Sequence, residues 1–124
     1  MARLLVVEDE GDLRDLLVHR FKAAGHYVVP VATAGAAIRA LEAQDAAPDA
    51  AVLDVDLPGT DGVELLEELR RVHPGLPALF VTVLSGGSLL GRMKATGCPY
   101  LTKPFAAKDL HAAVDGLLRA KPVL

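Results

Sequence analysis

Five polar side chains draw attention because each follows or ends a short apolar run. Glu8 and Asp9 follow Leu4-Leu5-Val6-Val7, and Asp54 follows Ala50-Ala51-Val52-Leu53. Thr82 follows Ala78-Leu79-Phe80-Val81, and Lys103 follows Tyr100-Leu101-Thr102. In an open α/β sheet the ligand site lies beyond the carboxyl ends of the strands, so such a sheet would bring these groups to one edge. Three carboxylates in one place repel each other and at neutral pH call for a compensating cation. A hard cation with oxygen ligands meets that need, and Mg²⁺ is the usual one where phosphate is handled. Lys103 adds a point charge able to hold Asp54, or a phosphoryl oxygen placed on it. Thr82 can donate one hydrogen bond to the same oxygen. The set contains an acceptor, a metal site and two donors, but no evident base for hydrolysing an organic substrate.

The elements that must position these groups follow from the apolar pattern. Leu4-Val7 is a continuous apolar run of the kind found in a strand buried on both faces. From Asp12 to Ala24, residues Leu13, Leu16, Leu17, Phe21 and Ala24 fall on one helical face, with Gly25 as the stop. Tyr27-Val31 reads as a second strand, and Pro30, which cannot donate a ladder bond, places it at a sheet edge. Thr33 caps a helix through Ile38 and Leu41 to about Ala43, followed by a loop at Ala46-Ala47-Pro48-Asp49. The third strand is Ala50-Leu53, ending at Asp54. After a turn at Asp56-Thr60, Asp61 caps a helix carrying Val63, Leu65, Leu66, Leu69 and Val72, which stops at His73-Pro74-Gly75. Ala78-Val81 is the fourth strand. Ser85-Gly86-Gly87-Ser88 reads as the most flexible stretch, and the helix after it is short. Tyr100-Thr102 is the fifth strand, and a last helix from Phe105 onward carries Leu110, Val114, Leu117 and Leu118. Five βα units in sequence imply a doubly wound, five-stranded parallel sheet with five helices on its two faces.

The whole chain agrees with that class. Its 124 residues suffice for one core and not two, and 52% hydrophobic with 23% charged residues is too apolar for a disordered segment. The division expected is a single domain over 1–120, with 121–124 as a tail or the start of a linker. A net charge of −3 and no basic run exclude an evident nucleic-acid footprint. Cys98 stands alone, so neither an internal disulfide nor a cysteine zinc site can form, which fits a reducing cytosol. The opening apolar run is too short and too quickly followed by acids for a signal peptide, and no segment reaches membrane-spanning length. The expectation is a cytoplasmic protein.

Four segments taken in order resemble the receiver domains of two-component response regulators: Val7-Glu8-Asp9-Glu10, Asp54 to Gly62, Phe80-Val81-Thr82, and Tyr100-Leu101-Thr102-Lys103-Pro104-Phe105. The resemblance covers essentially the whole chain, and it implies a flavodoxin-like sheet of strand order 2-1-3-4-5. It implies that Asp54 accepts a phosphoryl group from a sensor histidine kinase or a phosphotransfer protein. Asp9 would bind Mg²⁺ directly, Glu8 through a water, and Asp56 through its backbone carbonyl. Thr82 would be the switch hydroxyl, Tyr100 the aromatic that rotates inward after it, and Lys103-Pro104 a cis peptide. The face of the fourth helix, fifth strand and fifth helix would meet the output domain or protein, with no direct contact to nucleic acid or membrane.

Each of these residues also has a plainer reading. Glu8 or Asp9 alone could be a helix cap, Lys103 a solvated charge, Thr82 a β-branched strand residue and Tyr100 half-buried packing. His19, His26, His73 and His111 are scattered without ligand spacing and read as surface residues, and Cys98 as structural or incidental. Asp54-Val55-Asp56 is also similar to the motif of haloacid-dehalogenase-like phosphatases. There it follows the first strand, and Glu8 and Asp9 would be unexplained. A receiver-like interaction module that takes no phosphate is the other alternative. Two departures from the receiver pattern stand out. Val83 occupies a position usually held by Ala or Gly, and the stretch from Thr82 to Tyr100 is one residue short. Gly97-Cys98-Pro99 there replaces a commonly acidic segment that supports salt-bridged dimers, so that mode of dimerisation is not expected.

Overall fold

The computed structural model describes residues 2–43, 47–83 and 87–120. The elements alternate from β1 (Arg3–Val7) and α1 (Gly11–Ala23) through β2 (Tyr27–Val31), α2 (Ala34–Ala43), β3 (Ala50–Asp54), α3 (Gly62–Val72), β4 (Ala78–Thr82), α4 (Gly87–Ala95) and β5 (Tyr100–Thr102) to α5 (Ala107–Ala120). All strand pairs are parallel and the order is β2-β1-β3-β4-β5, as expected from the sequence. Pro30 does lie on an edge strand, opposite Val6. Residues 121–124, Ala46 and Ser85-Gly86, each given a role above, lie outside the described residues. Among the described residues no helix is long and apolar enough to cross a membrane.

Alternation along the strands separates two cores. Leu5, Val7, Ala51, Leu53 and Phe80 face α2, α3 and α4 through Ala37, Leu41, Leu65, Leu66, Leu69 and Met93. Leu4, Val6, Val52, Leu79 and Val81 face α1 and α5 through Leu17, Phe21, Leu110 and Val114. Strands β3 and β4 are buried along their whole length, which explains why they read as unbroken apolar runs rather than alternating ones. Each large apolar side chain taken fully from water contributes about 1.5–3 kcal/mol, so this double core supplies the force that holds the strand ends in line.

Local signals set the helix ends. Glu10 caps α1 by accepting from the Asp12 and Leu13 N–H groups, and Gly25 takes the left-handed turn after it (φ +90°). Thr33 Oγ1 accepts from Ala36 N–H and Asp61 Oδ1 from Glu64 N–H, as expected for caps. Gly62 is required for a different reason. Its N–H reaches the Val55 carbonyl at 2.9 Å, and a Cβ there would stand 2.5 Å from the Asp54 carbonyl oxygen.

Several expectations need correction. Leu16 (42% exposed) and Ala24 are not on the buried stripe of α1, which is the i, i+4, i+8 set Leu13, Leu17 and Phe21. Val72, at the last turn of α3, is half exposed. The last helix starts at Ala107, with Phe105 and Ala106 in the connection to it, and the Lys103–Pro104 bond is cis. Of the four histidines only His19 is exposed. His26 and His111 both pack edge-on against the buried Phe21 ring, at 6.4 Å between centroids, and His26 Nδ1 accepts the Ala2 N–H. Cys98 is half-buried and receives a weak contact from Arg70 Nη2 at 3.7 Å.

The glycines supply a paired stability test. Gly62→Ala is expected to lower the unfolding free energy by about 1–3 kcal/mol through overpacking. Gly91→Ala, whose Cβ meets nothing within 4 Å inside α4, is expected to raise it by up to about 1 kcal/mol. Urea unfolding of both variants checks the two signs.

Candidate functional site

Parallel strands end together, so residues scattered over ninety-five positions meet above β1, β3, β4 and β5. Glu8 is 1% exposed and Asp54 4% exposed, while Asp9 stands in solvent. A carboxylate oxygen from each lies within 4.8 Å of one from the others. Lys103 Nζ enters between two of them, 3.1 Å from Glu8 Oε1 and 3.5 Å from Asp54 Oδ2. Asp54 Oδ1 accepts the Asp56 N–H at 3.1 Å.

Glu8 is the most constrained member. One carboxylate oxygen takes Lys103 and the other takes the Glu10 N–H at 3.1 Å. Its own N–H donates to the Val31 carbonyl, and its carbonyl accepts from Arg14 Nη1 at 2.9 Å. Asp9 differs, since among the described residues no hydrogen bond or ion pair holds its carboxylate. Asp56 is exposed and its side chain is outside the acid group.

Electrostatics follow from this packing. Burial and then the neighbouring Glu8 carboxylate push the Asp54 carboxyl up from 3.8 to about 7, against the lowering pull of the Asp56 N–H and Lys103. Burial works against the charged form of Lys103, but the Glu8 hydrogen bond and Asp54 outweigh it and raise its pKa. Three acids against one ammonium leave the cluster short of positive charge. Its donors are hard carboxylate oxygens within ligand distance of one another, so the residues fit a divalent cation such as Mg²⁺.

Thr82 is 4% exposed at the end of β4. Its hydroxyl donates to the Val83 carbonyl at 3.2 Å rather than to Asp54, so it is near the cluster and committed elsewhere. Tyr100 is 36% exposed, on the outer side of β5. Val83 is 55% exposed. It lines a groove of about 430 Å³ together with Leu13 and Leu16 of α1 and the run Lys103-Pro104-Phe105. The site therefore opens beside an apolar rim. Away from it, Arg92 of α4 reaches Asp61 at 2.9 Å. That bond and the Glu64 N–H hold the Asp61 carboxyl below its ordinary range despite partial burial.

Sequence reasoning did not single out Arg14, the capping role of Glu10, or the Arg92–Asp61 pair. An acid directly before a helix is a readable cap signal, and Glu10 carried it. Nothing local marks Arg14 or Arg92, whose partners are a main-chain carbonyl six residues back and a side chain thirty-one residues away.

Comparison with known proteins covers nearly the whole chain. A family profile described as response regulator receiver domain matches residues 4–115. The chain is 39% identical over 125 residues to the transcriptional regulatory protein TcrA of Mycobacterium tuberculosis, covering 98% of this chain and 48% of that protein. It is 37% identical over 116 residues to the transcriptional regulatory protein CreB of Escherichia coli, covering 92% and 49%. The chain thus spans about half the length of these curated relatives. Among solved structures, a CheY-like receiver domain protein of Methanospirillum hungatei superposes with a TM-score of 0.88 at 26% identity, covering 98% and 96%. The phosphatase alternative left Glu8 and Asp9 without a role, whereas both belong to the cluster.

The raised Asp54 pKa gives a stability prediction with a definite sign. The folded state binds this proton more tightly than the unfolded chain. The associated stability is therefore full below about 3.8 and is lost as pH rises through about 7. Asp54→Asn in metal-free buffer should match the unsubstituted protein near pH 4 and exceed it by roughly 1–3 kcal/mol above pH 7. Thermal melts across that window check it.

Proposed function

Since the chain belongs to the response regulator receiver domain family, whose members are the phosphoacceptor switches of two-component signalling, we propose that Asp54 is its phosphoryl acceptor. The observation that carries the reading is the buried Asp54 carboxylate, facing one ammonium at 3.5 Å and two further carboxylates within 4.8 Å. An Asp54 oxygen attacks the phosphorus of a kinase or phosphotransfer-protein phosphohistidine, the P–O bond forms, and the P–N bond breaks with the imidazole as leaving group. Glu8, Asp9 and Asp54, with the Asp56 carbonyl, would hold Mg²⁺, which when bound neutralises carboxylate and phosphoryl oxygens. Lys103 leaves Asp54 for a phosphoryl oxygen, and Glu8 keeps it at the site during that transfer. The protein's own catalysis is limited to slow self-promoted transfer and dephosphorylation.

The switch follows from differential contacts. A phosphoryl group adds charge and acceptor oxygens. Thr82 then exchanges its Val83 carbonyl for a phosphoryl oxygen, and Tyr100 turns from its outward position into the vacated space. Only the arrangement that makes these contacts is favoured, and the α4-β5-α5 face changes with it. That face meets the output domain or protein. Residues 1–120 constitute the receiver unit, 121–124 are a tail or the start of a linker, and the site of action is the cytoplasm.

Acetyl phosphate with Mg²⁺ is expected to label the protein to one phosphoryl group per chain, with no labelling of Asp54→Ala. Beryllofluoride, a phosphoryl mimic, should shift NMR signals at Asp54, Thr82 and Tyr100 in the unsubstituted chain alone. Absence of both the acetyl phosphate labelling and the beryllofluoride shifts overturns the proposal.

Val83 supplies a second expectation. Its β-branched side chain narrows the groove beside Lys103, so Val83→Ala should gain and lose the phosphoryl group several-fold faster. Equal rates for the two proteins would refute this.

A further inference from the structure

Asp9 poses a problem of placement. It is the one acid of the cluster that is solvent-exposed, and among the described residues nothing holds its carboxylate. Its position is therefore set by the backbone of the turn from Val7 to Gly11. Two side chains tie that turn down. Glu10 caps α1 on its far side. On the near side Arg14 folds back across the first helical turn, its Nη2 passing 3.7 Å from where a Cβ on Gly11 would stand, and its Nη1 donates to the Glu8 carbonyl at 2.9 Å. That carbonyl belongs to the Glu8–Asp9 peptide unit, and a planar peptide held at its oxygen fixes the direction in which the next residue leaves.

The choice of partner is informative. Three carboxylates cluster at the end of this same turn, yet none of the described ion pairs includes Arg14. A guanidinium recruited to neutralise the acids would take a carboxylate, with the stronger charge-assisted bond. Here it takes a neutral main-chain oxygen instead. We propose that Arg14 is a positioning residue, which by clamping the Glu8 carbonyl presents Asp9 to the metal-holding cluster. The inference rests on the metal role proposed above for Glu8, Asp9 and Asp54.

The sign of one measurement separates positioning from charge. A nearby cation repels Mg²⁺, so if Arg14 contributed only charge, its removal would tighten Mg²⁺ binding. If it positions Asp9, removal weakens binding in spite of that relief. Partners that orient metal ligands typically matter by 10–100-fold. Calorimetric titration with Mg²⁺ is therefore expected to show Arg14→Met binding about tenfold more weakly, with Arg14→Lys, which keeps a donor, recovering most of the loss. Equal or tighter binding by Arg14→Met overturns the inference while leaving the metal site intact. Failure of the unsubstituted chain to bind Mg²⁺ overturns both. A second test needs no variant. In the metal-free protein the Arg14 guanidinium should show separate, slowly exchanging Nη signals by NMR, and a single averaged signal would overturn the clamp even if Arg14→Met did not fold.

Discussion

The site is organised around one ammonium that faces more negative charge than it can neutralise. Lys103 sits 3.1 Å from Glu8 and 3.5 Å from Asp54, with Asp9 close by. Two like charges about 4 Å apart cost about 4 kcal/mol at the effective dielectric of a protein surface. Three such acids would separate if they were free to do so. They stay because each is attached to a strand or turn whose own placement is decided elsewhere, by the two apolar layers. Burial, and then the neighbouring Glu8 carboxylate, raise the Asp54 carboxyl to about 7. A group in that state has a ready affinity for added positive charge.

Rigidity behind the cluster is what makes the deficit useful. Asp54 ends a strand buried along its whole length. Gly62 closes the following loop against the Asp54 backbone so tightly that no side chain fits. Glu8 has all its polar groups engaged, on both carboxylate oxygens, its N–H and its carbonyl. The groups proposed to move, the Thr82 hydroxyl and Tyr100, lie outside that set of bonds. α4 is attached more lightly than its neighbours. It buries only Met93 and is tied to the start of α3 through Arg92 and Asp61. That division between a fixed acid cluster and adjustable surroundings suits a two-state element.

The architecture was legible because its signals are local. Runs such as Leu4-Val7 and Ala78-Val81 announce buried strands, Pro30 announces an edge, and Thr33 and Asp61 announce caps. Errors arose where burial depends on neighbours from other elements. Leu16 and Val72 fit a helical apolar face by spacing, but Leu16 lines the open groove beside Val83 and Val72 is half exposed. His26 and His111 have no mutual spacing in the chain, yet both converge on Phe21, which only the packing of α1, β2 and α5 could arrange.

For the site the division is similar. Residue types at strand ends were enough to name Glu8, Asp9, Asp54, Thr82 and Lys103, because a parallel sheet carries all its carboxyl ends to one edge. Sequence therefore pointed to the groups that meet, Glu8, Asp9, Asp54 and Lys103, while the Thr82 hydroxyl is turned away from them. It could not determine how they share their bonds. That Glu8 holds Lys103 more closely than Asp54 does, that the Thr82 hydroxyl is turned to Val83, and that Arg14 chooses a carbonyl over a carboxylate are outcomes of competition among several partners within a few ångströms. Such competition is settled by distance and burial, and these exist only once the chain has folded.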